Sequence, residues 1–143
     1  MAARTDPLES LARLRRLETG TARRRLAEAA DRLSSAEARA EAARAALLAE
    51  QGAGAAADYA AWLGKGMAER DRSTLGAAHA VERMAQGRAA LAEARVAERC
   101  IEQLLAEREA EARARLLGKA QLAADDAAGR KAHSLASGGR GRG

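Results

Sequence analysis

The side chains able to do chemistry in this chain are mostly arginines. Arg13, Arg15, Arg16, Arg23, Arg24 and Arg25 form the densest basic stretch, and Arg113 and Arg115 repeat it on a smaller scale. The two aromatic residues, Tyr59 and Trp62, stand close together beside Leu63 near the middle of the chain. Guanidinium groups grip carboxylates and phosphates through charge-assisted, often bidentate hydrogen bonds, so the chemistry on offer is recognition of an acidic surface. The plain alternative for the arginines is a solvated helix face paired with Glu18 and Glu28. For Trp62, an anchor for a partner, the plain alternative is a ring folded over the helix ends to staple a turn. Catalysis lacks its parts. His79 and His133 have no companion at metal-ligand spacing, Cys100 reads as a small buried hydrophobe beside Ile101, and no Gly-rich loop ends in Lys-Ser or Lys-Thr. The chain is read as a non-enzyme, with no catalytic residue, metal, cofactor or small-molecule ligand expected.

Helices must position these groups. Ala22, Leu26, Ala29, Leu33, Ala36, Ala40, Ala43 and Leu47 recur in alternating steps of four and three, the repeat that keeps one seam of a helix against a partner through a left-handed coiled coil. Alanine accounts for 42 of the 143 residues, too little bulk for a sizeable globular core. Alanine, leucine, arginine and glutamate are strong helix formers, and Pro7 is the only proline. The fold class expected is all-α: a long antiparallel two-helix coiled-coil hairpin with a short helical segment at its tip.

Local punctuation sets the expected boundaries. After a tail over residues 1–6, Asp6 can cap the first turn, Pro7 suits its first position and Glu9 can complete a capping box. The first helix then spans about 7–51. Gly52, Gly54, Gly64 and Gly66 bracket a tip over about 52–66 that carries Asp58, Tyr59, Trp62 and Leu63. The second helix spans about 67–128, with a looser seam of Met84, Leu91, Ala94, Ile101, Leu105 and Ala112 interrupted by Glu98 and Arg108. Residues 129–143, ending in SGGRGRG, read as a disordered Gly/Arg tail. Folding about a midpoint near residue 59 sets Leu26 opposite Leu91 or Ala92, Leu33 opposite Met84 or Ala85, and Ala43 opposite Leu75. In that register Arg15, Arg16, Arg23 and Arg24 lie alongside Ala94 to Gln103, and Arg113 to Leu122 lack a partner within the chain.

Charge narrows the partners. The formal net charge of +5 is spread evenly along the chain, and the scarcity of aromatics deprives a nucleic-acid reading of its stacking platforms. A basic coiled coil that binds nucleic acid stands as the alternative. A peripheral membrane helix is weaker still, because an alanine face contributes little insertion energy. No apolar run reaches the ~20 residues of a membrane span, and one cysteine makes no internal disulfide, so a cytoplasmic protein is expected.

PLESLARLRRLETGTARRRLAEA near the start, DYAAWL at the tip and ERCIEQLLAEREAEARARL in the second helix resemble the FliJ family of flagellar type III export proteins, over most of residues 6–120. The resemblance implies a stalk similar to the central stalk of rotary ATP synthases. Its implied partners are the hexameric export ATPase, the cytoplasmic domain of the membrane export gate and export chaperones. It also implies residence in the cytoplasm, peripherally at the inner-membrane export apparatus. The partner-binding residues expected are Arg15, Arg16, Arg23, Arg24, Arg25, Arg113 and Arg115, with Tyr59, Trp62 and Leu63 at the tip. The stalk protein of an injectisome is the alternative of the same type.

Overall fold

The computed structural model describes residues 6–50 and 56–138, and all of these except Asp6 and Glu50 are helical. Helix α1 runs Pro7–Ala49 and helix α2 runs Ala56–Gly138. No strand occurs among the described residues, and the fold is an all-α antiparallel two-helix hairpin. Packing divides the chain into two units, Met1–Arg99 and Cys100–Gly143. The hairpin occupies the first.

At the start of α1, Asp6 does what its sequence position suggests. Its Oδ1 accepts a hydrogen bond from the Leu8 amide at 3.0 Å and its carbonyl accepts one from Ser10 N–H at 3.0 Å, satisfying donors that the first turn leaves open. Pro7 takes the first helical position. The 43 residues of α1 extend about 65 Å at ~1.5 Å per residue.

Two expected boundaries move. A tip over 52–66 with its own short helix is replaced by α2 itself, which begins at Ala56 and passes through Gly64 and Gly66. A glycine inside a helix costs about 1 kcal/mol against alanine, and tertiary packing can offset that. At Gly66 the packing is visible: a Cβ there would lie 2.8 Å from Leu47 Cδ2, so the glycine makes room for a leucine of α1. The second helix also continues through Gly129 to Gly138, where a disordered tail from residue 129 was expected. Ala123, Ala124, Ala127, Ala128, Ala132 and Ala136 supply strong helix formers on both sides of Gly129. The rest of that tail, residues 139–143, the N-terminal residues 1–5 and residues 51–55 of the tip lie outside the described residues.

The seam read from α1 is the seam that forms. Ala22, Leu26, Ala29, Leu33, Ala36, Ala43 and Leu47 are half-buried and Ala40 is buried, and the stripe extends back through Thr19 to Ala12, both buried. From α2 the first unit contributes Gly66, Ser73, Ala77, Ala80, Met84, Gly87, Leu91 and Ala94.

The pairing differs from the sequence expectation by about five residues. A Cβ on Gly87 would sit 3.4 Å from Leu26 Cδ1 and 3.6 Å from Leu26 Cα, so Leu26 faces Gly87 instead of Leu91 or Ala92. Leu47 faces Gly66. Three heptads separate Leu26 from Leu47 along α1 and Gly66 from Gly87 along α2, so one antiparallel register accounts for both contacts. It sets Leu33 against Ala80, Met84 against Ala29 and Leu91 against Ala22. Leu75, expected opposite Ala43, is 59% exposed. Large residues therefore meet Gly or Ala at each level. The early start of α2 shortens the connection and moves the midpoint toward the N-terminus, and Gly66 and Gly87 become holes for leucine knobs.

In the second unit Ile101, Leu105 and Ala112 are half-buried, and every described residue from 113 to 138 is exposed. Leu116, Leu117 and Leu122 lie in or beside the stretch expected to lack a partner, and they are between 66% and 72% exposed. Among the described residues no helix is long and apolar enough to cross a membrane.

Candidate partner-binding surface

A heptad frame locates each candidate. In α1 the seam takes positions a (Thr19, Leu26, Leu33, Ala40, Leu47) and d (Ala22, Ala29, Ala36, Ala43); in α2 it takes a (Ala77, Met84, Leu91) and d (Gly66, Ser73, Ala80, Gly87, Ala94). Two flanks border an antiparallel seam, one built from the g positions of both helices and one from the e positions.

The g flank carries two adjoining grooves that share Arg32. One part is lined by Glu18, Ala22, Arg25, Ala29 and Arg32 of α1 with Arg83, Gln86, Gly87, Ala90 and Ala94 of α2. The next part is lined by Arg32, Ala36 and Arg39 with Glu69, Arg72, Ser73 and Gly76. Ser34, Glu37, Glu41 and Arg44 of α1 line a shallower groove on the e flank with Thr74 of α2. Extending that flank by whole heptads adds Ala30, Arg23 and Arg16 on α1 and Val81, Arg88 and Arg95 on α2. No carboxylate occupies an e position in this extended stretch.

The arginine run is therefore split by the helix. Arg16 and Arg23 lie on the e flank, Arg25 on the g flank and Arg24 on the outer surface. Arg15 stands at a d position, half-buried, and pairs with Glu18 at 2.8 Å. Arg24 donates to Thr21 Oγ1 at 3.1 Å, while the Thr21 hydroxyl donates to the Leu17 carbonyl at 3.0 Å. Glu28 pairs with Arg32 at 3.7 Å, not with the cluster. Arg113 and Arg115 belong to the second unit, bonded within their own helix to the Glu109 carbonyl at 3.4 Å and to Glu111 at 3.7 Å.

What the antiparallel pairing adds is Arg88 and Arg95. In the shifted register Arg16 and Arg23 lie beside residues 90–97 of α2, closer to the tip than the expected Ala94 to Gln103. Arg88 and Arg95 then interleave with them on one flank. Among the described residues Arg23, Arg88 and Arg95 form no ion pair or hydrogen bond. The spacing of Arg88 and Arg95, four residues beyond Met84 and Leu91, was legible once the α2 seam was fixed.

Tyr59 and Trp62 stack with ring centroids 5.9 Å apart at an interplanar angle of 25°. Both are half-buried in the first turns of α2, as is Leu63. A Cβ on Gly66 would lie 3.8 Å from Trp62 Cη2, next to the Leu47 contact, so the indole closes the tip end of the seam. Geometry favours the staple over the free anchor. Cys100, expected to be buried, is exposed, whereas Ile101, about 100° further round the helix, is half-buried. His79 and His133 are exposed.

Compared with protein-family models, with curated proteins and with solved structures, the chain matches none.

Proposed function

We propose that this chain is a non-enzymatic stalk and adaptor of the flagellar type III protein export apparatus. In this reading it works in the cytoplasm, peripherally at the inner-membrane machinery, and engages the hexameric export ATPase, the cytoplasmic domain of the export gate and export chaperones. The observation that carries the reading is the flank of Arg16, Arg23, Arg88 and Arg95, drawn from both helices of a hairpin whose seam sets its large apolar residues against Ala and Gly. The likeness of the PLE, LRRL and AWL segments to the FliJ family supports it. A hairpin placed within a hexamer presents this flank unequally to different subunits. It biases their conformations to the extent that it binds those states with different affinity.

The test is charge reversal with an internal control. Arg16→Glu, Arg23→Glu and Arg88→Glu together should weaken association with the export ATPase and its stimulation, with helicity by circular dichroism unchanged, since exposed charges contribute about 0–1 kcal/mol each to folding. Trp62→Ala should spare the ATPase contact. An intact ATPase complex in the triple variant refutes the assignment of the flank. Tight, salt-steep binding of generic duplex DNA without ATPase binding favours the nucleic-acid alternative instead.

A further inference from the structure

The g flank carries an inference of its own, independent of the stalk reading and of the e flank. Arg25, Arg32 and Arg39 recur at seven-residue spacing along α1, which places successive guanidinium stems roughly 10 Å apart in a line. Across the groove stand Arg72 and Arg83 of α2. Between these rails the floor is made of Ala22, Ala29, Ala36, Gly76, Gly87 and Ala90. A Cβ added at Gly76 would meet nothing within 4 Å, so the groove is open above it. The carboxylates beside the rails are largely engaged: Glu18 with Arg15, Glu28 with Arg32 and Glu69 with Arg72. Among the described residues Arg25, Arg39 and Arg83 are left without a partner, against one unpaired groove carboxylate, Asp31.

We infer that this groove is a docking site for an acidic amphipathic helix of a partner protein, packed as a third helix against the hairpin. Three features select that occupant. The repeat of the arginine rail equals the heptad of a helix, so Asp or Glu at every seventh position of the partner meets Arg25, Arg32 and Arg39 in turn. The floor of small residues accepts apolar knobs, which a phosphate backbone does not supply. The two rails lie on different helices, so only the folded hairpin presents the groove between them.

The probe is a synthetic helix of about four heptads with Leu and Ala on one face and Glu at the flanking positions. A twin carries Lys in place of Glu. Fluorescence anisotropy should show micromolar binding of the Glu helix to the full chain, weakened by salt, and no binding of the Lys twin. Arg25→Glu with Arg39→Glu should weaken binding by about tenfold or more, each lost pair being replaced by a repulsion. Gly76→Trp should abolish binding by filling the groove, while Gly76→Ala retains it. Arg23→Glu with Arg88→Glu, on the opposite flank, should leave it unchanged. Circular dichroism on every variant verifies the hairpin. Four results overturn the proposal: no binding of the Glu helix, equal loss from the e-flank pair, binding that survives Gly76→Trp, or duplex DNA outcompeting the peptide at physiological salt. Sedimentation showing that the chain closes this groove by pairing with a second copy of itself overturns it as well.

Discussion

The register of the hairpin is testable by a single cross-link. A Cβ on Gly87 lies 3.9 Å from Leu26 Cβ, near the 3.8 Å mean of disulfides. Leu26→Cys with Gly87→Cys, in a Cys100→Ser background to remove the exposed native thiol, should therefore oxidise within one chain. The new bond closes a loop of about sixty residues, for which the chain-entropy relation gives about 4 kcal/mol. Truncating Leu26 itself removes about 2–5 kcal/mol, so the informative comparison is oxidised against reduced protein of the same variant, where that loss cancels. The difference corresponds to a rise in melting temperature of roughly 15–30 °C for a domain of this size. Intact mass should show loss of two hydrogens at a dilution that suppresses intermolecular bonds, and thermal unfolding with and without reductant gives the energy. The control pair is Leu26→Cys with Ala92→Cys, which the sequence-derived register would favour. Ala92 stands five residues along α2 from Gly87, about 7.5 Å away along the axis, and should stay reduced. Oxidation of the control pair and not of the Gly87 pair would refute the register and the rotation of the flanks derived from it.

Thr19 is 2% exposed and its hydroxyl has no hydrogen-bond partner, so Thr19→Ala should stabilise the hairpin by about 1 kcal/mol, read as a higher urea midpoint at constant slope. Gly76→Ala, in open space, should stabilise by up to about 1 kcal/mol through helix propensity alone. Gly87→Leu should destabilise by about 1–3 kcal/mol, because the added side chain runs into the Leu26 backbone; equal thermal shifts for the two glycines would contradict the seam assignment. Leu33→Asp should remove about 3 kcal/mol or more by setting an unpaired carboxylate against the small residues of α2, and helicity by circular dichroism should fall accordingly.

The seam of α1 was legible because its four-three spacing is unbroken from Ala22 to Leu47 and its leucines mark one face. The seam of α2 was only half legible. Met84, Leu91 and Ala94 stand out by size or spacing, but Gly66, Ser73 and Gly87 occupy seam positions that a search for apolar bulk passes over. A hole is as specific as a knob in such packing, yet it leaves no hydrophobic signal. By bulk alone Gly64 and Gly66 read as helix breakers, which places the start of α2 near residue 67 instead of Ala56 and shifts the register with it. Cys100 reads as buried from its apolar neighbour Ile101, yet one step along a helix turns a side chain by ~100° and leaves the thiol exposed.

The charged flanks follow from this packing. In the linear sequence Arg88 and Arg95 stand among glutamates and alanines and attract no notice, whereas antiparallel pairing at Ala and Gly brings them alongside Arg16 and Arg23. The repulsion this creates is small in water: about 0.4 kcal/mol per pair at ~10 Å, less with salt. The hairpin can therefore carry a stretch of this flank with no carboxylate at its e positions at little cost to its stability. A partner that excludes water from the same groups lowers the local dielectric, and each matching carboxylate then gains more than the free hairpin lost. The small residues opposite each leucine thus have two effects: they draw the backbones together, and they bring charges of both helices onto two distinct flanks, which adds surface specificity to the register that knobs and holes already set. Charge reversal on one flank should accordingly leave recognition on the other unaltered.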